Sequence, residues 1–196
     1  LLDQAAITGD FYADNAVFAA PVGLIETNIN GQMHWHNATI DGGLPAHGFN
    51  GGYVDARDLV IDGPLLFDGA SFSSNLLLSR AEIAGPVDLS DTSFNWSLDA
   101  TLLVVQGDFS LVDSSIGADC DLVGADITGG ADLRKLSVTE ETDWSHATIG
   151  GDIAATDTSF DETAIFDDLN VQGNSIQFDN ANFGGKADFA TQTLAV

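Results

Sequence analysis

Basic residues are nearly missing from this chain. Five Lys and Arg stand against 30 Asp and Glu, a net charge of −25 over 196 residues. Such a surface repels phosphate backbones and anionic membranes, so no direct nucleic-acid binding is expected. A single cysteine, Cys120, excludes a disulfide framework within the chain. Four prolines and no G-X-Y period exclude collagen. No apolar run approaches the roughly 18 residues of a membrane-spanning helix, so no insertion by this segment is expected. Walker loops, dinucleotide fingerprints, G-x-S-x-G and H-E-x-x-H are all absent from the sequence. Yet 44% of the residues are hydrophobic, which a disordered acidic tail would lack.

What is present is a repeat. Cut every eleven residues from Thr8, the chain aligns as TGDFYADNAVF (8–18), NGQMHWHNATI (30–40), AGPVDLSDTSF (84–94), GADCDLVGADI (117–127) and so on, 17 units to Leu194. Two units break the length: 41–50 is one residue short and 172–183 one long. Positions 4, 6 and 11 are apolar, and position 9 is small or aliphatic. Positions 4 and 6, and again 9 and 11, are two apart, the alternation of strands; no 3.6-residue period runs over any long window. Pro and Gly gather at positions 1–3, which with 7–8 read as corners. Eleven of the 12 Phe fall at positions 4, 6 or 11, and Phe49, in the short unit, is the exception. The predicted core therefore includes Val87, Leu89, Phe94, Phe109, Leu111, Ile116, Leu122, Ile127, Leu133 and Trp144. Cys120, at inward position 4, reads as a core residue rather than a nucleophile.

Ala125-Asp126-Ile127, Ala131-Asp132-Leu133, Ala181-Asn182-Phe183 and Ala187-Asp188-Phe189 carry a further pattern. With these pieces the chain resembles the pentapeptide-repeat family, whose five-residue A-(D/N)-L-x-x motif builds a right-handed, four-sided β-helix. The resemblance covers nearly the whole chain, with one departure: each pair of pentapeptides carries an extra residue at position 3. It implies an all-β, right-handed four-sided β-solenoid of about 22 residues per coil and about eight coils, with wider alternate corners and almost no helix. The repeat is also similar to the G-D-L-x-L-x-x-A-x-I repeats of bacterial proteins labelled membrane-associated oxidoreductases, but no cofactor motif accompanies it. The expected organisation is a single solenoid domain over 1–196. Leu1–Ile7 already fits positions 5–11, so uncapped ends and a longer parent protein are expected.

On a 22-residue coil, outward residues 22 apart stack into columns. Ser71, Ser93, Ser115, Ser137 and Ser159 would form a hydroxyl ladder able to order water or ice. Asp99, Asp121 and Asp143 would form a carboxylate column, with Asp119 and Glu141 beside it; hard oxygen ligands suit Ca²⁺. Like charges in register also destabilise each other, so a solvated acidic face competes with that reading. His34 and His36 point to one side of a strand, with His47 following and Asp55 expected one coil from His34; imidazole and carboxylate suit Zn²⁺ or Cu²⁺. His146 stands apart as a surface residue. No catalytic constellation and no cofactor are expected. The functional expectation is a non-enzymatic structural or interaction module, a stalk or scaffold segment binding a protein partner or stacking through its ends, with the cell surface favoured. The family resemblance implies an alternative, a DNA-mimicking inhibitor of an enzyme such as a type II topoisomerase. An ice- or cation-binding face is a third.

Overall fold

The computed structural model describes residues 1–41 and 53–190, together with the strand Thr193–Leu194. It is an all-β solenoid with no helix among the described residues. Short parallel strands, nearly all of two residues, stack into one nine-stranded and three eight-stranded sheets, the four sides of about eight coils. Side one begins with Ala6–Thr8, side two with Phe11–Tyr12, side three with Val17–Phe18 and side four with Val22–Gly23. Partners in register lie 22 residues apart, as in Val87 with Phe109 and Phe94 with Ile116. Each coil hydrogen-bonds to its neighbours: the Leu89 N–H donates to Ser110 C=O at 2.9 Å and the Leu111 N–H to Asp132 C=O at 2.8 Å.

Positions 4, 6, 9 and 11 point inward because a strand alternates its side chains. All ten predicted core residues are buried, Phe94 the most exposed at 2%. Trp35 stacks between Phe18 and Phe67, with ring centroids 4.8 and 4.9 Å away, and Phe72 stacks on Phe94 at 4.9 Å. Position 9 sometimes carries a hydroxyl, and each buried one has an acceptor. Thr92 donates to Phe67 C=O at 2.9 Å, Ser114 to Leu89 C=O at 2.7 Å and Thr158 to Leu133 C=O at 2.8 Å, all in the preceding coil. These bonds offset the cost of burying a polar group.

The four corners are of two kinds, as the extra residue at position 3 implies. The tight corner, positions 7–8, closes with a hydrogen bond from the position 9 N–H to the position 6 C=O, as from Ala70 to Phe67 at 3.0 Å. Position 8 takes a left-handed conformation along the rod: Asn15, Asn37, Asp58, Asp91, Asp113, Asp157, Asp168 and Asn180 have φ between 52 and 58°. Gly69 and Gly124 serve elsewhere, and Gln4, Glu26, Arg80, Leu102, Lys135 and His146 adopt φ between 53 and 61° at the remaining corners. Asn, Asp and Gly dominate because they tolerate this region best.

The wide corner, positions 1–3, joins sides one and two and sides three and four. Between sides one and two its middle residue is Gly9, Gly31, Gly63, Gly85, Gly107, Gly129, Gly151 and Gly173. A Cβ on Gly107 would lie 2.8 Å from the Pro86 nitrogen, and one on Gly173 2.3 Å from Gly151 backbone. Successive coils approach too closely there for any side chain.

One expectation about the units is corrected. Val22 pairs with Val54, 32 residues on, and Met33 with Leu65, also 32 on. The offset between coils is there 32 rather than 22, and residues 42–52 lie outside the described residues. Thirteen residues separate Ile40 on side three from Val54 on side four, where three, 19–21, separate Phe18 from Val22. The one-residue excess in 172–183 falls at the other wide corner, between Val171 and Ile176, where Asp152 Oδ1 accepts both the Asn174 and Ser175 N–H groups at 2.6 and 3.0 Å.

Candidate functional faces

The outward columns fall on three sides. On side three, Ser71, Ser93, Ser115, Ser137 and Ser159 stand in direct register, preceded by Thr39 and followed by Asn182. Ser93 donates to Ser71 at 3.2 Å, and Ser159 to Asp161 at 2.8 Å. Beside the ladder runs a shallow depression lined by Asn95, Ser115, Gly117, Ser137 and Thr139.

On side four, Asp99, Asp121 and Asp143 occupy one column in consecutive coils. Asp119 and Glu141 lie at the corner that leads into it, where the Glu141 N–H donates to Asp119 Oδ1 at 3.3 Å. A second shallow depression there is lined by Asp119, Glu140, Glu141 and Glu162. Burial, then Asp119, Asp99, Asp143 and Glu141, push Asp121 up to about 6.

On side two, the histidines are divided rather than gathered. His34 Nδ1 lies 2.7 Å from Asp14 Oδ1 without hydrogen-bond alignment, while His36 Nδ1 contacts Asp68. The rings are nearly parallel, with centroids 6.2 Å apart. Each imidazole thus meets a different carboxylate, one from the coil before and one from the coil after. Asp55 is not beside His34. It lies on side four, in register with Gly23 and Leu77, and holds Arg57 at 2.7 Å, whereas His34 registers with Tyr12 and Leu66. The reason is the offset, which is 32 here: counted at 22, the expected column fell on the wrong side. His47 lies outside the described residues. Among the described residues no three His, Cys, Asp or Glu side chains converge with metal-ligand geometry. His146 is exposed and lies 3.4 Å from Asp168. Cys120 is fully buried, and burial drives its thiol far above the usual range.

Many carboxylates do structural work the sequence did not announce. Asp88 Oδ1 accepts the Ser90 N–H at 3.0 Å, Asp99 that of Thr101 at 3.0 Å, and Asp143 that of Ser145 at 2.8 Å. Others reach one coil on: Asp10 Oδ1 accepts the Gln32 N–H at 3.1 Å and Asp108 Oδ1 the Gly130 N–H at 2.8 Å. The short Asp side chain reaches a corner N–H that would otherwise lack a partner, which accounts for 25 Asp against 5 Glu. The few cations are likewise taken: Arg80 holds Asp58 at 2.6 Å, Arg134 holds Asp132 at 2.6 Å and Lys135 holds Asp113 at 2.9 Å. The 22-residue offset alone points to Asp14 as a neighbour of His36; Asp68 is found only once the 32-residue offset is known.

No family model, no curated protein and no solved structure matches the chain.

Proposed function

We propose that this chain is a non-enzymatic structural or interaction module, a rigid spacer or scaffold segment that presents flat acidic and hydroxyl faces to a protein partner. The supporting observation is the unbroken register of four parallel sheets around one apolar column, with polar side chains confined largely to the outer faces and corners. Stability in such a stack is a sum of nearest-neighbour interfaces, so length can change by whole coils without altering the rest. The strongly acidic exterior favours a basic partner surface and weakens that contact as salt rises.

The test is removal of one coil. Spin labels at Asn28 and Asn170, both outward on side one, should report a single narrow distance. Deleting residues 95–116 should shorten it by about 4.8 Å and keep it narrow. A broad distribution after deletion would overturn the rigid-spacer reading. A DNA-mimicking inhibitor would draw on the same net charge; loss of type II topoisomerase supercoiling at micromolar chain would favour that reading over a passive spacer.

A further inference from the structure

Within the side-four column, the three carboxylates are not equivalent. Asp99 accepts from the Ser79 hydroxyl at 2.7 Å and the Thr101 N–H at 3.0 Å; Asp143 accepts from the Ser145 N–H at 2.8 Å and from its hydroxyl. The Asp121 carboxylate, between them, accepts no hydrogen bond among the described residues, and position 7 of its own unit is Val123, which has no hydroxyl. Neighbouring strands place these carboxylates about 4.8 Å apart. The groups facing Asp121 are Asp99 and Asp143 on either side, and Asp119 and Glu141 at the preceding corner. The adjacent Cys120 points inward. None of the five acids joins an ion pair among the described residues.

We propose that this ladder is an acid-tightened clasp: the coils joined through Asp121 are held weakly at neutral pH and bind each other more firmly when Asp121 takes a proton. A neutral carboxyl removes the repulsion and gains an O–H that can donate to Asp99 or Asp143. The sign follows from the raised Asp121 value of about 6 against an ordinary 3.8. Its stabilising contribution is full below about pH 4 and is lost as the pH rises through about 6. The backbone bonds at stake are Ala100 N–H to Asp121 C=O at 2.7 Å and Leu122 N–H to Asp143 C=O at 2.8 Å.

Hydrogen exchange resolved by residue tests this. Protection factors, corrected for intrinsic exchange, are compared at Leu98, Ala100, Cys120 and Leu122 on side four and at Leu111 and Leu133 on side two. From about pH 7.5 to about pH 5, side-four protection should rise several-fold; tenfold is the upper bound, because a half-exposed carboxylate is screened by solvent. Side two, where Arg134 neutralises Asp132, should change little. Asp121→Asn should already show the acid level of protection at neutral pH and respond weakly thereafter. An equal rise on both sides would assign the effect to the overall charge and overturn the proposal. An unaltered side-four response in Asp121→Asn would overturn it too. The comparison of sides uses the unmodified chain, so it decides the matter even if the variant folds poorly.

Discussion

The two wide corners have the same three-residue length and opposite tolerances. Between sides one and two, every middle residue from Gly9 to Gly173 is glycine, and from Gly31 onward the preceding coil leaves no room for a Cβ. Between sides three and four the same position holds Ala20, Ser74, Trp96, Ala118, Glu140 and Glu162, with a glycine, Gly185, only at the last described corner. The first corner admits one extra residue, and Asp152 satisfies the added N–H. At the second, ten more residues separate Ile40 from Val54 than separate Phe18 from Val22. One edge of the rod is thus a close-packed backbone seam, and the other accepts side chains from Ala20 to Trp96 over most of its length. The tight corners admit no insertion among the described residues, because a fixed hydrogen bond and a left-handed position 8 set their length. Variation in this architecture is channelled to the corner that constrains the backbone least.

The sharpest challenge to this contrast is to ask whether the looseness outside the second corner reaches the core. Phe94 is the last inward residue before that corner and is 2% exposed. Phe94→Ala should cost about 3–5 kcal/mol by denaturant unfolding, the range for emptying a large aromatic site. A cost below about 1 kcal/mol would mean that the open corner has a soft interior.

Next comes the seam itself. Gly107→Ala forces a Cβ to within 2.8 Å of the Pro86 backbone nitrogen, so the overpacking should cost about 1–3 kcal/mol. The matched substitution at the open corner, Glu140→Ala, should stay within about 0.5 kcal/mol. Equal effects from the two changes would erase the distinction between the corners.

The smallest effect expected concerns a tight corner. Leu102 is 52% exposed and sits at φ 56°, where a leucine is strained. Leu102→Asn should stabilise the chain by roughly 0.5–1 kcal/mol, since Asn accepts this conformation more readily. Thermal unfolding shows it as a small rise in Tm. A fall would mean that the leucine's contact over Gly124 outweighs the backbone strain.

The chain's sequence by itself determined the inside of this protein. An eleven-residue period with apolar residues at positions 4, 6, 9 and 11 made the strand alternation and the burial of Val87, Leu89, Phe94 and Phe109 legible without coordinates, while the four-sided coil of about 22 residues was what the resemblance to pentapeptide repeats implied. The serine and aspartate columns were legible too, because they lie where the 22-residue offset is unbroken. Tertiary structure alone decided what happens where that offset fails. The repeat does not fix which strand Val54 meets, and its pairing with Val22 moved Asp55 away from His34 and brought Asp68 to His36. It also decided why the seam is glycine and why the acids are so often aspartate. Both follow from backbone atoms of the neighbouring coil, a close approach in one case and an N–H in need of an acceptor in the other. A linear repeat records which residues recur; how near the next coil passes is set only when the coils stack.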